Sequence, residues 1–286
     1  MEKWTILFLS LILSVLSGNC FSQKSYNCES KHFRDSIVNY YTEVLANTER
    51  IYYNDARWQE LCDSIIKICP DIAEAYQLKA LPFTKYADYE KCFSLLDKAV
   101  QYDPVEFLPY RAFIKCIFTK DYEGAIVDFT RSDSLTKNSG LMDHSYQFFM
   151  GICNLELKKY DMAEINFKND ADIQHRAFRG EQLHYNSLLY TGIVQLEKGQ
   201  YREAEKLLLK CLDTYSKHPE ANYYLALVEE KLGNEILKHT YLENGREAYI
   251  QGLRLNEDNI YYSNYPKQVT LRDFDRALGK DVSNTK

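Results

Sequence analysis

LEKGQYREAEKLLLKCL, residues 196–212, decides the fold. Gly199 breaks an apolar helix-like stretch, Tyr201 follows it, and Ala204, Leu208 and Cys211 continue at offsets of three, four and three residues. Those offsets place the last three side chains on one face of a helix. A glycine at the end of the preceding stretch tolerates positive φ and stops that helix without steric cost. The segment therefore predicts a helical hairpin: one helix ends at Gly199 and a second starts at Tyr201.

The signature recurs. Tyr-x-x-small appears at Tyr89–Cys92, Tyr122–Ala125, Tyr160–Ala163 and Tyr201–Ala204, at intervals of 33, 38 and 41 residues. Each copy is followed at helical spacing by an apolar residue: Leu96, Phe129, Phe167 or Leu208. Nine positions before the tyrosines stand Ala80, Gly151 and Gly192, with Phe113 as the exception. Small residues on both helices of a hairpin let the pair approach closely. One hairpin cannot bury its apolar face alone, so such units are expected to stack.

This pattern resembles the tetratricopeptide repeat, a helix–turn–helix unit of about 34 residues. The resemblance implies an all-α fold, an α-solenoid of about five to six hairpins. The expected units are about 39–70, 73–104, 106–137, 144–175, 185–216 and 219–257, within a repeat domain at 39–257. A lead at 23–38 precedes them and a tail at 258–286 follows. The second helix of the last unit is expected to be lengthened by about two turns. Tyr89, Cys92, Tyr122, Ala125, Gly151, Tyr160, Ala163, Gly192, Gly199, Tyr201 and Ala204 are the residues that build the repeats.

In that family the first helices line a concave groove. Carried over by position, groove-facing residues are Phe107, Tyr110, Ile114 and Ile117 in the third unit and Phe148, Ile152 and Leu155 in the fourth. The fifth unit contributes Leu189 and Ile193, and the sixth Tyr223 and Leu227. An exposed apolar and aromatic stripe of this kind suits a partner peptide or helix. Two other readings stay open. A phase error of one residue would make these side chains core. The chain's own NIYYSNYPKQV (259–269) could also fill the groove. The Lys and Asn pattern with which some family members clamp a C-terminal carboxylate is replaced here by Tyr110, Ile114, Leu189 and Ile193.

Composition agrees with a helical, non-enzymatic chain. Of 286 residues, 45% are hydrophobic and 27% charged, and glycine (11) and proline (6) are too few for a turn-rich β fold. A net charge of -6 provides no global field for nucleic acid. There is no HExxH, no G-x-S-x-G and no glycine-rich phosphate loop. The histidines (32, 144, 175, 184, 218, 239) are scattered, and the His175/His184 pair lacks a third ligand nearby. No catalytic residue, metal or cofactor is expected, and the partner is another protein.

Residues 1–22 read as a secretory signal: Lys3, an apolar run at 4–16, then small residues. Cleavage after Ser22 gives a soluble exported chain starting at Gln23. LSGNC also resembles a lipobox, whose Cys20 would be acylated and tethered to a membrane, although Asn19 departs from that pattern. The alternative function is thus a membrane-tethered lipoprotein subunit of an envelope assembly or uptake complex. The apolar run followed by FSQ resembles exported proteins of Bacteroidetes-type bacteria. Past residue 22 seven cysteines remain, an odd number. Cys62 and Cys69 are too far apart on one helix to pair. Cys28 could join either of them, and the others sit at helix-core positions.

Overall fold

The structure, a computed structural model, describes residues 26–177, 183–253, 255 and 265–280. The expected signal at 1–22 and the acylation site Cys20 lie outside the described residues. The chain divides into two compact units, 1–75 and 76–286.

In the first unit, α1 (Lys31–Asn39) runs through a π-helical turn (Tyr40–Leu45) into α2 (Ala46–Glu49), and α3 (Ala56–Ile68) follows. Ser30 caps α1 and Asp55 caps α3, each accepting a backbone N–H through its side chain. Ile37, Val38, Trp58, Leu61, Cys62 and Ile65 are buried. The lead is stapled here. Cys28 and Cys69 form a disulfide, and Arg34 bridges to the Asp71 carboxylate at 2.7 Å and to its carbonyl at 2.6 Å.

The second unit is an all-α solenoid. α4 (Ala73–Lys85) begins in the first unit and continues into the second, where it precedes α5 (Tyr89–Tyr102). Four further hairpins follow. They are α6 (Pro104–Ile114) with α7 (Tyr122–Leu135), α8 (Tyr146–Glu156) with α9 (Tyr160–Ala177), α10 (Tyr185–Glu197) with α11 (Tyr201–Thr214), and α12 (Pro219–Leu232) with α13 (Glu235–Ile250). A short α14 (Leu271–Ala277) packs against α13. A two-stranded ribbon, β1 (Gly140–Leu141) and β2 (His144–Ser145), links α7 to α8.

Each repeated tyrosine is the first residue of a second helix. Two positions earlier the backbone turns left-handed: Ala87, Lys120, Lys158 and Gly199 all have φ between 58° and 75°. Only the last is the residue such a turn prefers, and the other three bear a penalty of roughly 1–2 kcal/mol. The tyrosine hydroxyls also reach the next hairpin. Tyr122 donates to Glu156 at 3.5 Å and Tyr160 to Glu197 at 3.2 Å. These side chains therefore couple neighbouring repeats, beyond covering their own turns.

The small positions are tightly packed. A Cβ on Gly151 would stand 2.7 Å from the Phe167 ring, and one on Gly192 2.8 Å from Leu208. Cys92, Ala125, Ala163, Ala204 and Cys211 are fully buried opposite such contacts. Phe113, the exception, is buried too, and its helix continues as a π-helical turn at Lys115–Thr119. The last second helix is 16 residues long against 14 for α11, so the expected two-turn lengthening is half a turn. Gly252, at φ 92°, ends it with a turn.

Gly151→Ala should destabilise by about 1–3 kcal/mol because the methyl meets a buried ring, although the same change in an ordinary helix interior stabilises. Lys158→Gly, at an exposed left-handed position, should instead raise stability by about 0.5–1 kcal/mol. Chemical denaturation of the two variants checks both signs.

Candidate protein-binding groove

The first helices α6, α8, α10 and α12 carry the residues expected to line an open stripe. Most of that stripe is not open. Phe107, Ile114, Phe148, Ile152, Leu189 and Ile193 are all at most 9% exposed, and Ile117 and Leu155 are buried with them. Phe148 packs edge-on against Phe167 of its own hairpin and Tyr190 of the next, so it is a helix–helix contact. Tyr110, Tyr223 and Leu227 remain half-buried. Several well-exposed apolar side chains of the second unit lie on second helices, among them Ile236 at 81%, Val127 at 66% and Ile165 at 51%.

A strap from the C-terminal tail lies against the first helices. Residues Tyr265-Pro266-Lys267-Gln268 form a tight turn, closed by Gln268 N–H donating to the Tyr265 carbonyl at 3.0 Å. Proline stands second in it and Lys267, at φ 63°, third, the positions of a type II turn. The turn presents two main-chain carbonyls to the helices. The Tyr190 hydroxyl on α10 donates to the Pro266 carbonyl at 2.7 Å, and the Tyr224 hydroxyl on α12 donates to the Lys267 carbonyl at 2.8 Å. The Tyr265 ring lies edge-on to Phe113 of α6 at 6.5 Å, and Val269 is buried. Beyond the strap, Phe274 on α14 is fully buried against Tyr223 and Tyr249, over Gly245.

The charges at the seat are complementary. The Lys267 ammonium lies 3.4 Å from Glu156 on α8 and 3.9 Å from Glu197 on α10. These are the two glutamates that accept the tyrosine hydroxyls of the preceding hairpins. Burial pushes the Tyr190 and Tyr224 hydroxyls well above the ordinary phenol range, so both stay protonated and act as donors.

A second polar cluster joins α8, α9 and α10. Buried Asp170 accepts from Ser145 and Ser187 at 2.7 Å each and from Gln174 at 2.8 Å. Nearby, the ribbon and the ends of α9 and α10 border a cavity of about 640 Å³ that includes His144 and His184. Burial holds the His144 imidazole down at about 3, so the ring is neutral, stacked on Phe148 at 3.8 Å. Among the described residues no group of three or more His, Cys, Asp or Glu side chains could hold a metal ion. Cys62, Cys92, Cys116, Cys153 and Cys211 are all buried thiols.

The sequence reading did not name the two side chains that hold the strap. Tyr190 and Tyr224 each stand one residue after a named position, and nothing local separates them from the other tyrosines of a chain that has 24.

The chain matches no protein-family model and no curated protein sequence. Its architecture is shared with solved structures. PilW, described as a widely conserved type IV pilus biogenesis factor, superposes with a TM-score of 0.60 at 13% identity, covering 80% of this chain and 97% of its own. Pseudomonas aeruginosa pilF gives 0.56 at 15% identity, covering 76% of this chain and 94% of its own. MamA from Desulfovibrio magneticus RS-1 gives 0.52 at 13%, covering 63% and 96%. The fold is that of the tetratricopeptide-repeat solenoids. At these identities the likeness establishes architecture alone.

Tyr190→Phe should cost about 1–3 kcal/mol, because the buried Pro266 carbonyl loses its donor. Together with Tyr224→Phe it should speed hydrogen exchange at the Gln268 amide more than in helices α10 and α11.

Proposed function

We propose that this protein is a non-catalytic scaffold that binds another protein through the concave side of its solenoid. One observation carries the reading. Two buried tyrosine hydroxyls on successive first helices hydrogen-bond the main-chain carbonyls of a single turn. That is a way of holding a peptide by its backbone, and here the chain's own strap occupies it.

A disulfide between Cys28 and Cys69 supports the further reading that the chain works in an oxidising compartment after export. The basic, apolar, small-residue order of 1–22 supports the same. No helix of the described residues is long and apolar enough to cross a membrane. We favour a product starting at Gln23. Intact mass of the protein isolated from its native host should match that chain less the two hydrogens lost on forming the one Cys28–Cys69 disulfide. A mass matching an acylated start at Cys20 would establish the tethered form.

Photoreactive residues placed at Tyr110 and at Leu227 should crosslink a partner protein identified by mass spectrometry. The same probe at Ile165, on a second helix, should not. Crosslinks from Ile165 alone would move the interaction to the second-helix surface and overturn the concave reading.

A further inference from the structure

The strap fits its seat imperfectly at the Lys267 side chain. Its ammonium stands 3.4 Å and 3.9 Å from two carboxylates, longer than a close charged hydrogen bond. Glu156 Oε1 is buried, and the Lys267 ammonium at 3.4 Å faces it without closing to a hydrogen bond. The carboxylates on α8 and α10 nevertheless converge on one point, beside two tyrosine donors that bond the strap's backbone well, at 2.7 Å and 2.8 Å. The seat is thus better formed than the ligand in it.

We propose that the strap is a displaceable internal occupant, and that the partner protein supplies a proline-initiated turn with an arginine where Lys267 stands. This rests on the concave face being the protein-binding surface. The tyrosine hydroxyls would donate to the same two carbonyls of such a turn, which any sequence offers. The glutamates set the charge requirement. A planar guanidinium can bond both carboxylates at once, as a single ammonium at these distances does not. The strap, tethered in the same chain, competes at high effective concentration and keeps the seat closed to weak ligands.

The test uses full-length protein and two labelled heptapeptides, YPKQVTL (the strap, 265–271) and the same peptide with arginine at its third position. Lys267→Glu should place a like charge beside Glu156 and Glu197 and free the strap, seen as faster exchange of the Gln268 amide. Fluorescence anisotropy should then show both peptides binding that variant, the arginine form about tenfold tighter, and binding the wild type at least tenfold more weakly. Adding Glu156→Gln and Glu197→Gln should abolish the preference for arginine. If Lys267→Glu is poorly folded by circular dichroism, Lys267→Ala takes its place with the same expectations. Unchanged exchange at Gln268 in a folded variant would show a permanent strap and overturn the proposal. So would a freed strap with no peptide binding, or binding without charge preference. Crosslinking from Tyr110 and Leu227 in that event would leave the scaffold reading standing, and its absence alongside peptide binding would do the reverse.

Discussion

Everything in the second unit depends on how closely the two helices of a hairpin approach. At Gly151 and Gly192 there is no room for a methyl group, because Phe167 and Leu208 occupy that space. Close approach lets Ala163 and Ala204 bury completely and turns each hairpin into a flat block with an apolar face. Such a block is unstable alone and stable in a stack. The tyrosines at the second-helix N-termini then fix the stacking, since Tyr122 and Tyr160 each bond a glutamate on the next first helix.

Stacking creates a second problem, on the first helices. Phe113, Leu189, Tyr190, Ile193 and Tyr224 place far more apolar surface there than a water-exposed face carries. The strap answers part of it. Val269 and the Tyr265 ring add apolar cover, while the carbonyls of Pro266 and Lys267 meet the two buried hydroxyls. Neither group could be buried cheaply without the other, because an unpaired hydroxyl and an unpaired carbonyl each carry a desolvation cost of about 1–3 kcal/mol. The hydroxyls and the strap therefore belong to one device.

The same glutamates serve both devices. Glu156 and Glu197 accept from the tyrosines that link repeats and also face Lys267. Removing the lysine would leave two carboxylates near each other on successive helices. The contacts between repeats and the contacts to the strap thus share side chains on hairpins α8/α9 and α10/α11.

The sequence by itself determined the repeat. Gly199-x-Tyr201-x-x-Ala204 and its copies specify where helices stop, where they start and which residues meet, because helix periodicity and the left-handed turn are local constraints. Even there residue type does not reveal the left-handed turns at Ala87, Lys120 and Lys158, which take the glycine conformation without being glycine. Only the tertiary structure decided what covers the first helices. Periodicity shows that Leu189, Tyr190 and Ile193 are near one another on a helix. It carries no information about a proline carbonyl 76 residues further along that seeks a tyrosine hydroxyl. That pairing depends on distances through space, and the chain fixes those distances only once the hairpins have stacked.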